Sequence, residues 1–324
     1  MIGMHGDGPG SGNADDGAGD GVDDQAYGTD GSDAGGSWEA LPEAGGFEIL
    51  DRGQRRLPLV LASPHSGRDY PADFVAAARL EGSALRKSED CFVDEIYADA
   101  IDLGVPMIRA LFPRAFLDLN REAFELDPDM FSEPLPDYVN TRSPRVQAGL
   151  GTIARVVASG EDIYRRKLRF DEALDRVNRH YRPYHATLQR LIEETRAAFG
   201  WCVLVDCHSM PSTGAEGTVA MADIVLGDCY GSACAPDVVD VVEETARGLG
   251  YGVVRNSPYA GGYTTRHYGR PRVGVHAIQI EINRALYMDE RRLVRRPYLA
   301  TLRQHVTEIV AAVGTLDLAM GRTP

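Results

Sequence analysis

WCVLVDCHSMP, residues 201–211, is a short apolar run that breaks into a histidine at position 208, and its reading decides the fold. Two other stretches follow the same plan. Leu57 to Ser63 is followed at once by Pro64-His65-Ser66-Gly67, and Val275 to Ile282 carries Glu281 near its end and runs into Asn283-Arg284. All three runs are apolar with little alternation and are bounded by turn residues, as expected of strands covered on both faces of a parallel sheet. Each delivers His or Glu where it stops. In open α/β sheets that carboxyl edge is where ligands bind.

Between these strands, apolar residues three and four apart predict helices over about 90–103, 161–199, 237–249 and 289–313, with Gly104, Gly200 and Gly250 placed as C-caps. Alternating strands and long helices give an α/β fold: a mixed, mostly parallel sheet of six to eight strands flanked by helices. Residues 127–141, rich in Pro and aromatics, read as an irregular loop, either a border of the pocket or a plain connector.

The formal net charge of −14 is concentrated at one end. Residues 1–46 hold ten acidic side chains and no Lys or Arg, leaving 38 acids against 34 bases elsewhere. Rich in Gly and poor in large apolar groups, this stretch is expected to be a disordered, solvated tail, with residues 47–324 forming one domain. The opening MIGMHGDGPG has neither the basic start nor the apolar run of about 7–15 residues of a signal peptide, and no stretch reaches the roughly 18 apolar residues of a membrane span. Five cysteines (Cys91, Cys202, Cys207, Cys229 and Cys234) include no C-x-x-C pair, which speaks against a cysteine zinc cage and for a reducing, cytoplasmic setting. No basic cluster stands free of neighbouring acids except RRLVRRP (291–297), which reads as the face of a terminal helix, so nucleic acid is not expected as a partner.

Two strand-end histidines, His65 and His208, predict a metal centre, since zinc in hydrolases commonly takes two His and one carboxylate and leaves a position for water. The acidic ligand stays open among Glu89, Asp90 and Asp94 in SEDCFVDEIY (88–97). Glu281 ends an otherwise apolar strand, where a lone carboxylate is costly to bury; it is either ion-paired with Arg284 or Arg121, or used as a general base. Asn120-Arg121 and Asn283-Arg284 form matched pairs, and Arg266 and Arg270 lie in GGYTTRHYGRPR (261–272). So many arginines suit a small anionic substrate, because a guanidinium holds a carboxylate with two parallel bonds. Cys207 next to His208 is a poor nucleophile pair, as neighbours on a strand point apart, and the Gly-rich stretches lack phosphate-loop spacing.

In order, PHSG, SEDCFVDEIY, FLDLNR, DCHSMP, NSPYAGGYTTRHYGRP and GVHAIQIEINRALYMDE resemble the N-formylglutamate amidohydrolases over about residues 45–313. The resemblance implies a fold related to the zinc carboxypeptidases and hydrolysis of N-formyl-L-glutamate to formate and L-glutamate, the closing step of one histidine-degradation route. It assigns zinc to His65, His208 and an acid, the general base to Glu281, and substrate carboxylates to Arg121 and Arg284 with their partners Asn120 and Asn283. His276 and Arg121 are the expected oxyanion donors. Cys91 departs from the large residue usual at its place in the family's early-helix motif, which leaves the choice of acidic ligand unsettled. Other readings are a metal-dependent amidohydrolase of another N-acyl amino acid or a γ-glutamyl compound, or a binding protein that has lost turnover.

Overall fold

The computed structural model describes residues 41–43, 46–157, 159–213 and 222–318. The strands of the main sheet are β1 (Leu41–Glu43), β2 (Phe47–Leu50), β3 (Leu59–Ser63), β4 (Met107–Ala110), β5 (Cys202–Met210), β6 (Ile224–Gly227), β7 (Val253–Arg255) and β8 (Val275–Asn283). Their order across the sheet is β1-β2-β4-β3-β5-β8-β6-β7. β4, β3, β5 and β8 run parallel; β2 joins β4 and β6 joins β8 antiparallel, so the sheet is mixed as the sequence predicts. The three apolar runs are the central, adjacent strands β3, β5 and β8, buried along their whole length.

The helices are α1 (Ala72–Ala77), α2 (Gly82–Arg86), α3 (Val93–Ile96), α4 (Pro144–Gln147), α5 (Phe170–Arg176), α6 (Arg182–Phe199), α7 (Pro236–Gly248), α8 (Tyr263–Tyr268) and α9 (Leu299–Gly314). Because successive strand side chains point to opposite faces, the core splits into two layers. Leu61, Val203, Val205, Cys207, Ile278 and Ile280 pack on the face covered by α7 and α9, with Val242 and Val306 opposite. Val60, Ala62, Leu204 and Ala277 pack on the other face, against Leu188 and Leu191 of α6.

Several predicted helices are shorter than their periodicity suggested. The one placed at 90–103 begins at Val93 because Phe92 adopts a left-handed φ of 65°, and it continues as a 3-10 turn over Ala98–Leu103 before Gly104, at φ 76°, caps it. The helix expected from 161 starts at Phe170, where Glu172 accepts from the backbone N–H of Arg169. It carries a π-turn over Val177–Tyr181 just before Pro183, whose missing N–H breaks the regular ladder. Met288–Asp289 and Val294–Arg295 pair as a small antiparallel hairpin, and the helix expected from 289 begins only at Leu299, after Pro297. The acidic tail lies outside the described residues except at its end, where β1 adds an edge strand to β2. Residues 127–141 are an irregular connector, with one 3-10 turn at Pro128–Met130.

Candidate metal centre and substrate cleft

His65 leaves the end of β3 on a turn held tight by Gly67, where a Cβ would stand 2.2 Å from the Phe112 carbonyl oxygen. The backbone N–H of Asp90 donates to the His65 carbonyl at 3.0 Å, and this bond ties the two turns together. The left-handed Phe92 ends the approach to α3, leaving Asp90 outside the helix and free to face the sheet edge. His208 comes from the last part of β5. The cluster His65, Asp90 and His208 is fully buried, with one potential ligand atom from each within 4.8 Å of the others.

The imidazole orientations are fixed from behind. His65 Nε2 lies 2.7 Å from Asp118 Oδ1 and His208 Nε2 lies 2.9 Å from Asp206 Oδ1. A buried carboxylate oxygen accepts only, so Asp118 and Asp206 favour the proton on each Nε2, and with a cation beside Asp90 each Nδ1 would turn its lone pair to it. His208 Nδ1 is 3.0 Å and His65 Nδ1 3.4 Å from Asp90 Oδ2. The Nδ1 of His65 is buried without a hydrogen-bond partner among the described residues. Two imidazole nitrogens and a carboxylate oxygen converging in a buried site suit a divalent cation such as zinc. Burial opposes ionisation of Asp90, yet its close contacts with His208 and His65, with Arg284 nearby, hold its carboxyl well below the usual range.

The supporting carboxylates have partners of their own. Asp118 accepts from Arg114 at 2.7 Å and from the backbone N–H of Asn120 at 2.8 Å, and Arg121 is 3.7 Å away. Against the cost of burial, Arg114 foremost and then Arg121 and His65 keep Asp118 ionised. Asn120 has its amide oriented by Thr264, whose N–H donates to Oδ1 at 2.7 Å, so Nδ2 faces Asp206 Oδ2 at 3.3 Å and also lies 3.0 Å from His208 Nε2. Gly262 makes this possible, since a Cβ there would sit 2.3 Å from Asn120 Nδ2.

On the neighbouring strand, Gln279 and Glu281 pair in register with Asp206 and His208, so all four polar groups stand on one face. Gln279 donates to Glu281 Oε1 at 2.7 Å and itself accepts from the N–H of Gly262 at 2.7 Å. Burial pushes the Glu281 carboxyl up to about 7, with Asp90 adding to the rise and His208, Arg114 and Arg284 opposing it. A cleft of about 120 Å³ opens here, lined by His65, His208, Glu281 and Gln279, by Asn120 with Arg114, Arg121 and Arg145, and by the loop Pro258–Gly262 that includes Tyr259.

The structure thus brings together His65, Asp90, His208, Asn120, Arg121 and Glu281. It separates the other predicted site residues. Glu89 is taken by Tyr70, Arg86 and Cys91, and Asp94 is bound by Arg109 at 2.7 Å, so neither reaches the histidines. Arg284 turns inward to Asp90 Oδ1 at 2.8 Å and Ser209 at 3.1 Å, which makes it a support of the metal cluster instead of a wall of the cleft. Asn283 caps a 3-10 turn at Ala285 and binds the Ala222 carbonyl. His276 lies at the far end of β8, opposite Val203, and accepts from Ala235 N–H, too distant along the strand to meet an oxyanion. Arg266, on the outer side of α8, and Arg270, just beyond its end, are exposed and face a separate groove with Arg272.

Missed by the sequence reading were Asp118 and Asp206 as supports and Arg114, Arg145, Tyr259 and Gln279 in the cleft. The strand period of two holds a usable signal: Asp206 and Gln279 each precede a predicted site residue by two and must share its face.

The model of the family described as N-formylglutamate amidohydrolase matches residues 57–288, a span containing the whole cluster. The chain belongs to this family. It is 30% identical over 249 residues, 75% of its own length and 86% of the relative's, to an N-formylglutamate deformylase of Pseudomonas putida. A second N-formylglutamate deformylase, from Pseudomonas aeruginosa, is 29% identical and matched over 98% of its length by 85% of this chain. Among solved structures, an N-formylglutamate amidohydrolase from Ralstonia eutropha JMP134 superposes with a TM-score of 0.78 at 37% identity, covering 83% of this chain and 97% of that one. The protein is therefore an N-formylglutamate amidohydrolase family member with a buried His-Asp-His cluster at its sheet edge.

Proposed function

We propose that this amidohydrolase cleaves N-formyl-L-glutamate into formate and L-glutamate, as in histidine degradation, with one zinc ion held by His65, Asp90 and His208. The observation that carries the reading is the convergence of His65 Nδ1 and His208 Nδ1 on Asp90 Oδ2, each imidazole oriented by its own carboxylate, on the same sheet edge as Glu281. Bound zinc supplies a Lewis acid that polarises the formyl carbonyl and acidifies water.

The remaining work falls to side chains. Glu281 accepts a proton from the attacking water; as oxygen bonds to the formyl carbon and the C–N bond breaks, Glu281 returns that proton to the departing amine nitrogen. Gln279 holds the Glu281 carboxylate in place through its 2.7 Å bond. Arg121 has its Nε and Nη1 fixed on the carbonyls of Leu150 and Asn120, and with Arg114 it presents positive charge for the α-carboxylate of the substrate. Arg284 steadies Asp90.

The test is formate release from N-formyl-L-glutamate by zinc-loaded protein, repeated after chelation and after zinc is restored. The expected result is release that vanishes with the metal and returns with it. Zinc-loaded protein that releases formate only from a different formyl amino acid would replace the substrate, and release indifferent to chelation would remove the metal from the mechanism.

A further inference from the structure

Resting on the reading of the cleft as an N-formyl amino acid site, we propose that Arg145 reads the side-chain carboxylate of the substrate and so sets the preference for a dicarboxylic acid. Three guanidiniums line the cleft. Two are already engaged with one anion: Asp118 is 2.7 Å from Arg114 and 3.7 Å from Arg121. Arg145 has no carboxylate partner among the described residues, although it lines a cleft whose like charge already presses on Arg121. With Arg114 and Arg121 sharing Asp118, Arg145 is the guanidinium of this lining that has no carboxylate against it among the described residues, which leaves it for a second carboxylate of the substrate.

Placement separates the roles. Arg121 is buried beside the metal cluster, whereas Arg145 is exposed at the rim. In an N-formyl dicarboxylic acid the α-carboxylate is one bond from the carbon bearing the scissile nitrogen, and the side-chain carboxylate lies further out. The deep arginine therefore meets the first and the rim arginine the second.

The local backbone holds the two arginines in a fixed relation. Arg145 stands in the first turn of α4, whose start is capped by Ser143 at 3.1 Å from the N–H of Val146; Ser143 in turn donates to Glu125, and Val146 is buried. The carbonyl of Arg145 accepts from Leu150 N–H at 2.8 Å, and the carbonyl of that same Leu150 accepts from Arg121 Nε at 3.0 Å. One turn thus carries the rim cation and grips the deep one. PRVQAG (144–149) carries no motif that marks Arg145 for this place.

The experiment measures kcat/KM for formate release from N-formyl-L-glutamate and from its neutral isostere N-formyl-L-glutamine, with zinc-loaded wild type, Arg145→Gln and Arg145→Lys. Wild type should prefer the glutamate compound, and Arg145→Gln should lose about 10- to 100-fold of that preference, chiefly through KM, as expected when a charge-assisted bond to substrate is removed. Arg145→Lys should restore part of it. An Arg145→Gln enzyme that keeps the wild-type preference, or loses activity equally on both compounds, would overturn the assignment while leaving the activity standing. A wild type that releases formate from neither compound would overturn both.

Discussion

Replacing Asp206 by Asn asks whether the metal cluster is built from behind as the hydrogen bonds indicate. The change is nearly isosteric and removes one charge from the centre of the sheet. At present Oδ1 receives the His208 Nε2 proton at 2.9 Å, while Oδ2 accepts from Asn120 Nδ2 and Thr265 Oγ1, each at 3.3 Å. An asparagine cannot satisfy all three. If its carbonyl faces His208, its amide meets the Asn120 amide, donor against donor, because Thr264 fixes the orientation of Asn120. If it flips, its N–H₂ faces Nε2 and drives the His208 proton onto Nδ1, where it blocks the ligand position. Loss of such a supporting carboxylate weakens metal binding by about 10- to 100-fold, or about 1.4–2.7 kcal/mol. Zinc titration against a competing chelator measures it, with circular dichroism confirming the fold. A folded Asp206→Asn protein that binds zinc within twofold of wild type would refute the tautomer argument and the metal assignment built on it.

Two further outcomes follow from the same structure. His276→Ala should leave kcat within about twofold, since His276 is at the far end of β8, and should cost about 0.5–1.5 kcal/mol in denaturant unfolding through loss of its bond from Ala235 N–H; a large fall in turnover would return His276 to the site. Burial lowers the His185 imidazole to about 3, with its ring half-buried among Tyr181, Tyr184, Tyr263 and Tyr268, its nitrogens bonded to Tyr268 and Leu119, and His267 nearby. The unfolded chain then binds the extra proton between about pH 3 and the ordinary histidine range near 6.5. Stability contributed by the neutral ring is complete above that range and declines as pH falls, by less than about 1.4 kcal/mol per pH unit because the ring is partly solvated. His185→Gln should flatten the stability profile between pH 6.5 and 5, and an unchanged slope there would contradict the neutral assignment.

Much of this was legible in the sequence because it depends on patterns along one strand. The strands β3, β5 and β8 announce themselves as apolar runs, and His65, His208 and Glu281 stand where those runs stop. The C-caps at Gly104 and Gly200 likewise needed only local information, and both glycines take positive φ. What stayed hidden depends on direction. Asp90 could not be told from Glu89 or Asp94 by spacing, since the left-handed turn at Phe92 that aims it is not written in its periodicity. Arginines were countable but not orientable: Arg266 and Arg270 face outward, Arg284 props a carboxylate, and Arg114 and Arg145, which carry no motif, line the cleft. Long helices were over-extended at their starts, over 161–169 before Phe170 and over 289–298 before Leu299, where Pro297 stands.

The central claim is that one zinc ion sits on His65, Asp90 and His208 while Glu281 moves the proton. Metal content and formate release measured together on Glu281→Gln test it most directly. The variant should hold one equivalent of zinc and lose about 10²- to 10⁴-fold in kcat, the range for removing a general base. Turnover at the wild-type rate with the zinc still in place would contradict the account.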